Sequence, residues 1–363
     1  VAEGTVPSFT CPNNMSIVTG TPASKHGISG NYYLDTRTGE AVVMTGPELL
    51  RGDTVLKGFA DAGAKVVAIT AKDKLRKQLG KGLDVSKGNI CFSSEKSAST
   101  TLAEHGIDNA AAFVGQPQPD MYSMELSLFV LDAGIRLLEA GRRDLMFLSL
   151  TDYVQHKYAP HESEARRFYQ ELDRRFGRLA ELGATVALTA DHGMNDKSTP
   201  EGRPNVIWLQ DILDAKFGKG DTKVICPITD AFVRHHGALG GFVRVWCLGG
   251  KATPQAIIDL VKDLPGIAEV LDKEAVCQRF ELPPDREGDV AVIGDVNTVI
   301  GASVADHDLS NLSDARLRSH GAVTEARVPF ILSRPVSADF QARATLGLKS
   351  HQIFEYAING VEH

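Results

Sequence analysis

The stretch "LMFLSLTDYVQHKY", residues 145–158, joins two patterns. Its first half is an unbroken apolar run, the mark of a strand buried on both faces in a parallel sheet. Its second half sets Asp152 and His156 four residues apart. One helical turn would bring both onto one face, a spacing suited to two ligands of one ion. A buried strand that ends in such a pair predicts an α/β fold with its chemistry at the carboxyl edge of the sheet.

Other runs extend the pattern. "KVVAIT" (65–70), "TVALTAD" (185–191), "NVIWL" (205–209) and "VPFILS" (328–333) read as buried parallel strands. Apolar residues at three- and four-residue spacing predict helices over 121–141 and 162–182, and "HQIFEYAING" (351–360) reads as a closing helix. We therefore expect a mostly parallel central sheet with helices on both faces. Between 210 and 300 the rhythm breaks into strand, helix and strand. That region reads as a smaller α+β cap inserted into a core made of 1–209 and 301–363.

The bulk numbers remove several function classes. The chain has 363 residues, 43% hydrophobic and 23% charged, with a net charge of −7. The acidic balance argues against a nucleic-acid partner. No apolar run approaches a membrane span. Five scattered cysteines without a CxxC pair suggest reduced thiols. With no leader-like segment, the expectation is a cytoplasmic protein acting on a small molecule. The sequence admits a homodimer without identifying an interface.

Two more clusters carry candidate ligands. "TADHGMND" (189–196) ends a predicted strand with Asp191 and His192, and "RLRSHGAVTEARVPFIL" (316–332) sets His320 before another. Each cluster alone reads as structural: a turn, a helix cap, a lone histidine. Together, two aspartates and three histidines beside core strands make a mixed nitrogen and oxygen set suited to zinc. Five ligands exceed one tetrahedral site, so two metals are expected. The early loop "FTCPNN" (9–14) offers a hydroxyl at Thr10, a thiol at Cys11 and the amides of Asn13 and Asn14.

In this order along the chain, "FTCPNN", Asp152 with His156, "ADHGM" and "SHG" with "TEARVPF" resemble the alkaline phosphatase superfamily. The branch is that of the nucleotide pyrophosphatases/phosphodiesterases and the phosphonoacetate hydrolases. "PNNMSIVTG" (12–20), "AITAKDKLRKQLGKG" (68–82) and "PITDAFVRHHGALGGF" (227–242) look most like the phosphonoacetate hydrolases. The resemblance implies an alkaline phosphatase-like core and two Zn2+ ions. Asp191, His192 and the Thr10 hydroxyl would hold one, and Asp152, His156 and His320 the other.

It also implies a reaction: cleavage of the carbon–phosphorus bond of phosphonoacetate to acetate and phosphate, with Thr10 as nucleophile and a phosphothreonine intermediate. Asn13, close to a helix start, is expected to donate to a phosphoryl oxygen. Lys72 and Lys74 are expected to bind the substrate carboxylate from one side of an extended segment, with Arg76 and Lys77 on the surface. Sulfatases of this superfamily use a Cys-x-Pro-x-Arg pattern; Pro12 follows Cys11 directly, which disfavours that chemistry. The family's early aspartate ligand has no counterpart before Thr10, and we expect it upstream of Val1.

Two other readings stay open at this point, and a third is disfavoured. A nucleotide phosphodiesterase would need an aromatic slot, for which Tyr32 and Tyr33 are candidates. A non-catalytic metal-binding homologue is the second. The third, a further metal site at His235 and His236, lacks any nearby carboxylate or thiol.

Overall fold

A computed structural model describes residues 1–44, 46–229, 237–309 and 316–362. His235 and His236 lie outside the described residues. The chain forms a mixed α/β fold. Its parallel centre has the strand Val66–Thr70 between Ile90–Ser93 and Leu145–Ser149. Val66–Thr70 is buried along its whole length, as its unbroken apolar run predicts.

Alternation along that strand sorts its side chains between two layers. Val66 and Ala68 pack with Met15 and Val18 of helix Thr10–Thr19 and with Leu75 and Leu79 of helix Asp73–Leu79. Val67 and Ile69 pack with Leu126, Phe129, Val130 and Ala133 of helix Glu125–Ala140 on the other face. Close approach there depends on Gly134, where a Cβ would meet Leu148 Cδ1 at 2.7 Å. The long helix Ser163–Glu181 lies against Glu125–Ala140, with Leu128 and Leu131 packed on Phe168 and Leu172.

The expected single sheet differs from what is seen. The described strands form seven small sheets. Outside the parallel trio, only Val206–Trp208 and Val299–Gly301 pair in parallel; every other pair is antiparallel. Phe330–Leu332, read as a parallel strand, runs antiparallel to Ala187–Thr189. An apolar run reports burial and carries no direction, so this was outside its reach. A cavity of about 1290 Å³ is lined by both Leu145–Ser149 and Ala187–Thr189, which leaves both strands half-buried on that side.

Residues 222–294 hold an antiparallel sheet in the order Thr222–Ile225, Phe242–Cys247, Val290–Gly294, Ile267–Asp272. Helices Pro254–Val261 and Lys273–Phe280 pack against it. Its apolar core continues into Val6, Phe9 and Ala23, so the sheet supports the loop that leads to Thr10. Arg244 and Glu287 form a buried ion pair beneath it, and Arg244 Nη2 also donates to Ser29 O at 2.7 Å. Among the described residues, no helix is long and apolar enough to cross a membrane.

Candidate metal centre

Four chain segments bring candidate ligands to the cavity wall. Thr10 is the first residue of helix Thr10–Thr19, after an extended Phe9 that supplies no side-chain cap. Asp152 follows the strand Leu145–Ser149, and the short helix Tyr153–Lys157 carries His156. Asp191 and His192 follow Ala187–Thr189. His320 follows Arg318–Ser319, which pairs with Asn195–Asp196. Gly321 makes the last approach feasible: its φ is 122°, and a Cβ there would run into the Phe9 ring.

The ligating atoms are close. Asp152 Oδ2 lies 3.0 Å from His156 Nε2 and 3.7 Å from Nε2 of both His192 and His320. His192 Nε2 lies 3.7 Å from Asp191 Oδ2 and 3.5 Å from Thr10 Oγ1. The rings of His192 and His320 stack at 3.5 Å and 8°. One ligand atom each from Asp152, His156 and His320 lie within 4.8 Å of one another.

Hydrogen bonds set the tautomers. The Nδ1 atoms of His156, His192 and His320 face the carbonyls of Arg318, Gly193 and Ser8 at 2.7, 2.9 and 2.6 Å. A carbonyl only accepts, so each Nδ1 carries the proton and each Nε2 presents a lone pair. Lone pairs and carboxylates crowded together repel one another. A divalent cation among them turns that repulsion into coordination, so the residues fit the metal their types suggested. The charges respond to this crowding. Burial opposes ionisation of Asp152, but without a metal the imidazoles of His156, His192 and His320, when also protonated at Nε2, hold its carboxyl well below the usual range. Asp191 is raised by burial. Burial alone would lower His192, yet the Asp191 and Asp152 carboxylates raise it. His320 is pushed well down by burial and by the two neighbouring imidazoles.

The two expected ligand sets, Thr10 with Asp191 and His192, and Asp152 with His156 and His320, are thus brought side by side. Asn13, expected to donate to a phosphoryl oxygen, is not brought with them and does not line the cavity. It is fully buried; its Oδ1 accepts from Thr5 N at 2.6 Å, and its Nδ2 donates to the carbonyls of Thr5 and Phe9. The amide is consumed in closing its own loop.

Two other asparagines line the cavity instead. Asn14 Nδ2 donates to Thr10 O at 3.0 Å and to Asp191 Oδ2 at 3.2 Å. Asn31 Oδ1 accepts from Cys11 N at 3.3 Å, and one of its N–H groups goes to Ile228 O, which leaves the second for a ligand. The helix end itself offers less than an ordinary one, because Asn31 takes the Cys11 N–H and Pro12 has none.

Lys72 and Lys74 line the same cavity as Thr10. They are not on one extended run. Lys72 is the extended residue before helix Asp73–Leu79, and Lys74 is in its first turn. Arg76, expected on the surface, is 11% exposed and donates to Asp73 Oδ1 at 2.7 Å. Asp73 also accepts from Ser93 and Lys96, each at 3.0 Å, so the turn between the two lysines is braced from behind. Tyr32 and Tyr33 are not among the cavity-lining residues.

Residues 2–321 match the type I phosphodiesterase / nucleotide pyrophosphatase family. The chain belongs to that family. This phosphodiesterase-family member is a hydrolytic enzyme, and its fold is alkaline phosphatase-like. Two structures of phosphonoacetate hydrolase from Sinorhizobium meliloti 1021, one with phosphonoformate and one with phosphonoacetate, match it with a TM-score of 0.91. Identity is 47%, over 99% of this chain and 86% of theirs. An uncharacterized pyrophosphatase/phosphodiesterase of Schizosaccharomyces pombe is 24% identical over 220 residues. That match covers 57% of this chain, and the chain spans about 40% of the length of that curated relative. Human ectonucleotide pyrophosphatase / phosphodiesterase 5 shares the fold, with a TM-score of 0.60 at 15% identity over 97% of this chain and 83% of its own.

Proposed function

We propose that this enzyme cleaves the carbon–phosphorus bond of phosphonoacetate to acetate and phosphate, with Thr10 as nucleophile. The observation that carries the reading is one cavity lined by Thr10, the aspartate and histidine cluster, and Lys72 with Lys74. The likeness to the two Sinorhizobium structures supports it. We read residues 210–300 as a cap on a core of 1–209 and 301–363 centred on the parallel trio of strands.

Asp191, His192 and Thr10 would hold one Zn2+, and Asp152, His156 and His320 a second. Bound there, the metals would lower the pKa of the Thr10 hydroxyl and of a water, and neutralise phosphoryl charge. The Thr10 hydroxyl loses its proton to solvent and Oγ1 attacks phosphorus in line; the P–C bond breaks and its electron pair leaves on the acetate carbon as an enolate. The result is a phosphothreonine and, after protonation from water, acetate. Water then attacks phosphorus, releasing phosphate and restoring the Thr10 hydroxyl. Charge in the first step builds on a group that is already a carboxylate. The Lys72 and Lys74 ammonium groups answer it, because they strengthen as that charge develops. The spare Asn31 N–H would hold a phosphoryl oxygen.

A nucleotide phosphodiester substrate would leave the two lysines without a carboxylate to bind, and the aromatic pair expected to hold its base, Tyr32 and Tyr33, does not line the cavity. The test compares phosphate release from phosphonoacetate with hydrolysis of a nitrophenyl phosphodiester, after chelation and after zinc is restored. Zinc-dependent turnover of phosphonoacetate is expected. Turnover of the diester alone means the carbon–phosphorus assignment is wrong.

A further inference from the structure

Glu325 and Lys197 pair at 3.0 Å with side chains 0% exposed, near the ligand cluster but outside it. A buried ion pair is weak support for stability, since apolar residues of similar size often serve as well. Its partners suggest another use. Glu325 Oε1 accepts from Asn195 Nδ2 at 2.6 Å and from Lys197 Nζ, both on the loop that follows His192. Glu325 Oε2 accepts from Ala322 N at 2.9 Å, on the loop that follows His320. The Glu325 carbonyl accepts from Gly193 N at 2.6 Å, adjacent to His192 itself. Lys197 Nζ also donates to Asp295 O at 3.2 Å, which anchors the tie to a third segment.

We propose that Glu325 is a positioning residue for the metal centre, tying the His192 loop to the His320 loop and so fixing the face-to-face spacing of those two ligands. The inference rests on the reading that the cluster binds metal. Neither Glu325 nor Lys197 touches a ligand atom; the carboxylate acts through the Asn195 and Lys197 side chains on the His192 side and through the Ala322 main chain on the His320 side. The antiparallel pairing of Asn195–Asp196 with Arg318–Ser319 carries the same tie to His156, whose Nδ1 is held by Arg318 O.

The test uses the full chain and two variants: Lys197→Met/Glu325→Leu, which keeps the volume apolar, and Glu325→Gln, which keeps the shape. Unfolding of the metal-free proteins, zinc affinity by chelator competition and the visible spectrum of the cobalt(II)-loaded proteins are measured. The expected result is a folded variant whose zinc affinity falls by about 10- to 100-fold, the range for residues that orient metal ligands. Its cobalt bands should shift as well. A folded variant with wild-type zinc affinity and an unchanged cobalt spectrum overturns the proposal alone. Loss of folding in both variants overturns it too, because Glu325 would then hold the fold and not the centre. A wild-type chain that binds no zinc overturns the underlying metal reading, in a measurement that does not involve Glu325.

Discussion

Replacing Asn14 by alanine tests how Thr10, the proposed nucleophile, and the Asp191 carboxylate are held together. Asn14 is 5% exposed, so water is poorly placed to take over its contacts. Its amide donates to Thr10 O and to Asp191 Oδ2, while the other Asp191 oxygen takes the His192 N–H at 3.1 Å. The substitution removes the side-chain donor from one oxygen of a half-buried carboxylate. A hydrogen bond to a charged group contributes about 1.5–3 kcal/mol. At about 1.4 kcal/mol per decade, that is roughly a 10- to 100-fold loss if the whole effect falls on the transition state. Asn14→Asp should be more damaging, because it sets a second carboxylate where the amide stood, 3.2 Å from Asp191 Oδ2. The assay is kcat/KM for phosphonoacetate at saturating zinc, with bound zinc measured on the same samples. A kcat/KM for Asn14→Ala within about threefold of wild type, less than about 0.7 kcal/mol, would refute the reasoning.

Thr10→Ala should abolish turnover while zinc still binds through the remaining aspartates and histidines; substantial residual activity would remove Thr10 as nucleophile. Lys72→Ala and Lys74→Ala should each impair phosphonoacetate turnover far more than turnover of a phosphoryl substrate without a carboxylate. Equal losses on both substrates would sink their assignment. Burial, together with the His351 and Arg286 charges, pushes His26 down to about 3, so it is neutral in the fold. An unfolded histidine takes up a proton below about pH 6.5, which favours the unfolded chain as pH falls from there towards the folded value. In metal-free protein, the stability advantage of wild type over His26→Gln should therefore shrink between pH 7 and pH 5. A constant gap in denaturant titrations would contradict that.

The sequence was legible where residue type and position carry the meaning. Asp152, His156, Asp191, His192 and His320 are chemically distinctive and stand beside apolar runs, so their convergence could be anticipated. Thr10 was selected among neighbouring nucleophiles only through the family resemblance. The asparagines show where such reading ends. Asn13 and Asn14 are adjacent, and a step of about 100° around a helix separates a residue that closes a loop from one that faces the cavity. That phase depends on how Thr10–Thr19 docks, which is set by Met15 and Val18 against the sheet. Asn31 was missed because a single asparagine near glycines carries the signature of a turn. Arg76 was read as surface because a basic run looks solvated. Its burial follows from Asp73, one turn earlier on the same helix. Strand direction was misread at Phe330–Leu332 because hydrophobicity records depth alone.

The core shared by the antiparallel sheet and Phe9 bears on cooperativity. Phe9 is 0% exposed, packed in one cluster with Val243, Val245 and Ile293, and its ring also meets His320 edge-on at 5.7 Å. The residue before Thr10 thus shares its packing with a sheet some two hundred residues further along, and the two are expected to melt together. Amide exchange at the start of helix Thr10–Thr19 should slow and quicken together with that of Phe242–Cys247. Trimming the antiparallel unit away would not leave a simpler working enzyme; it would remove the floor on which Thr10 stands.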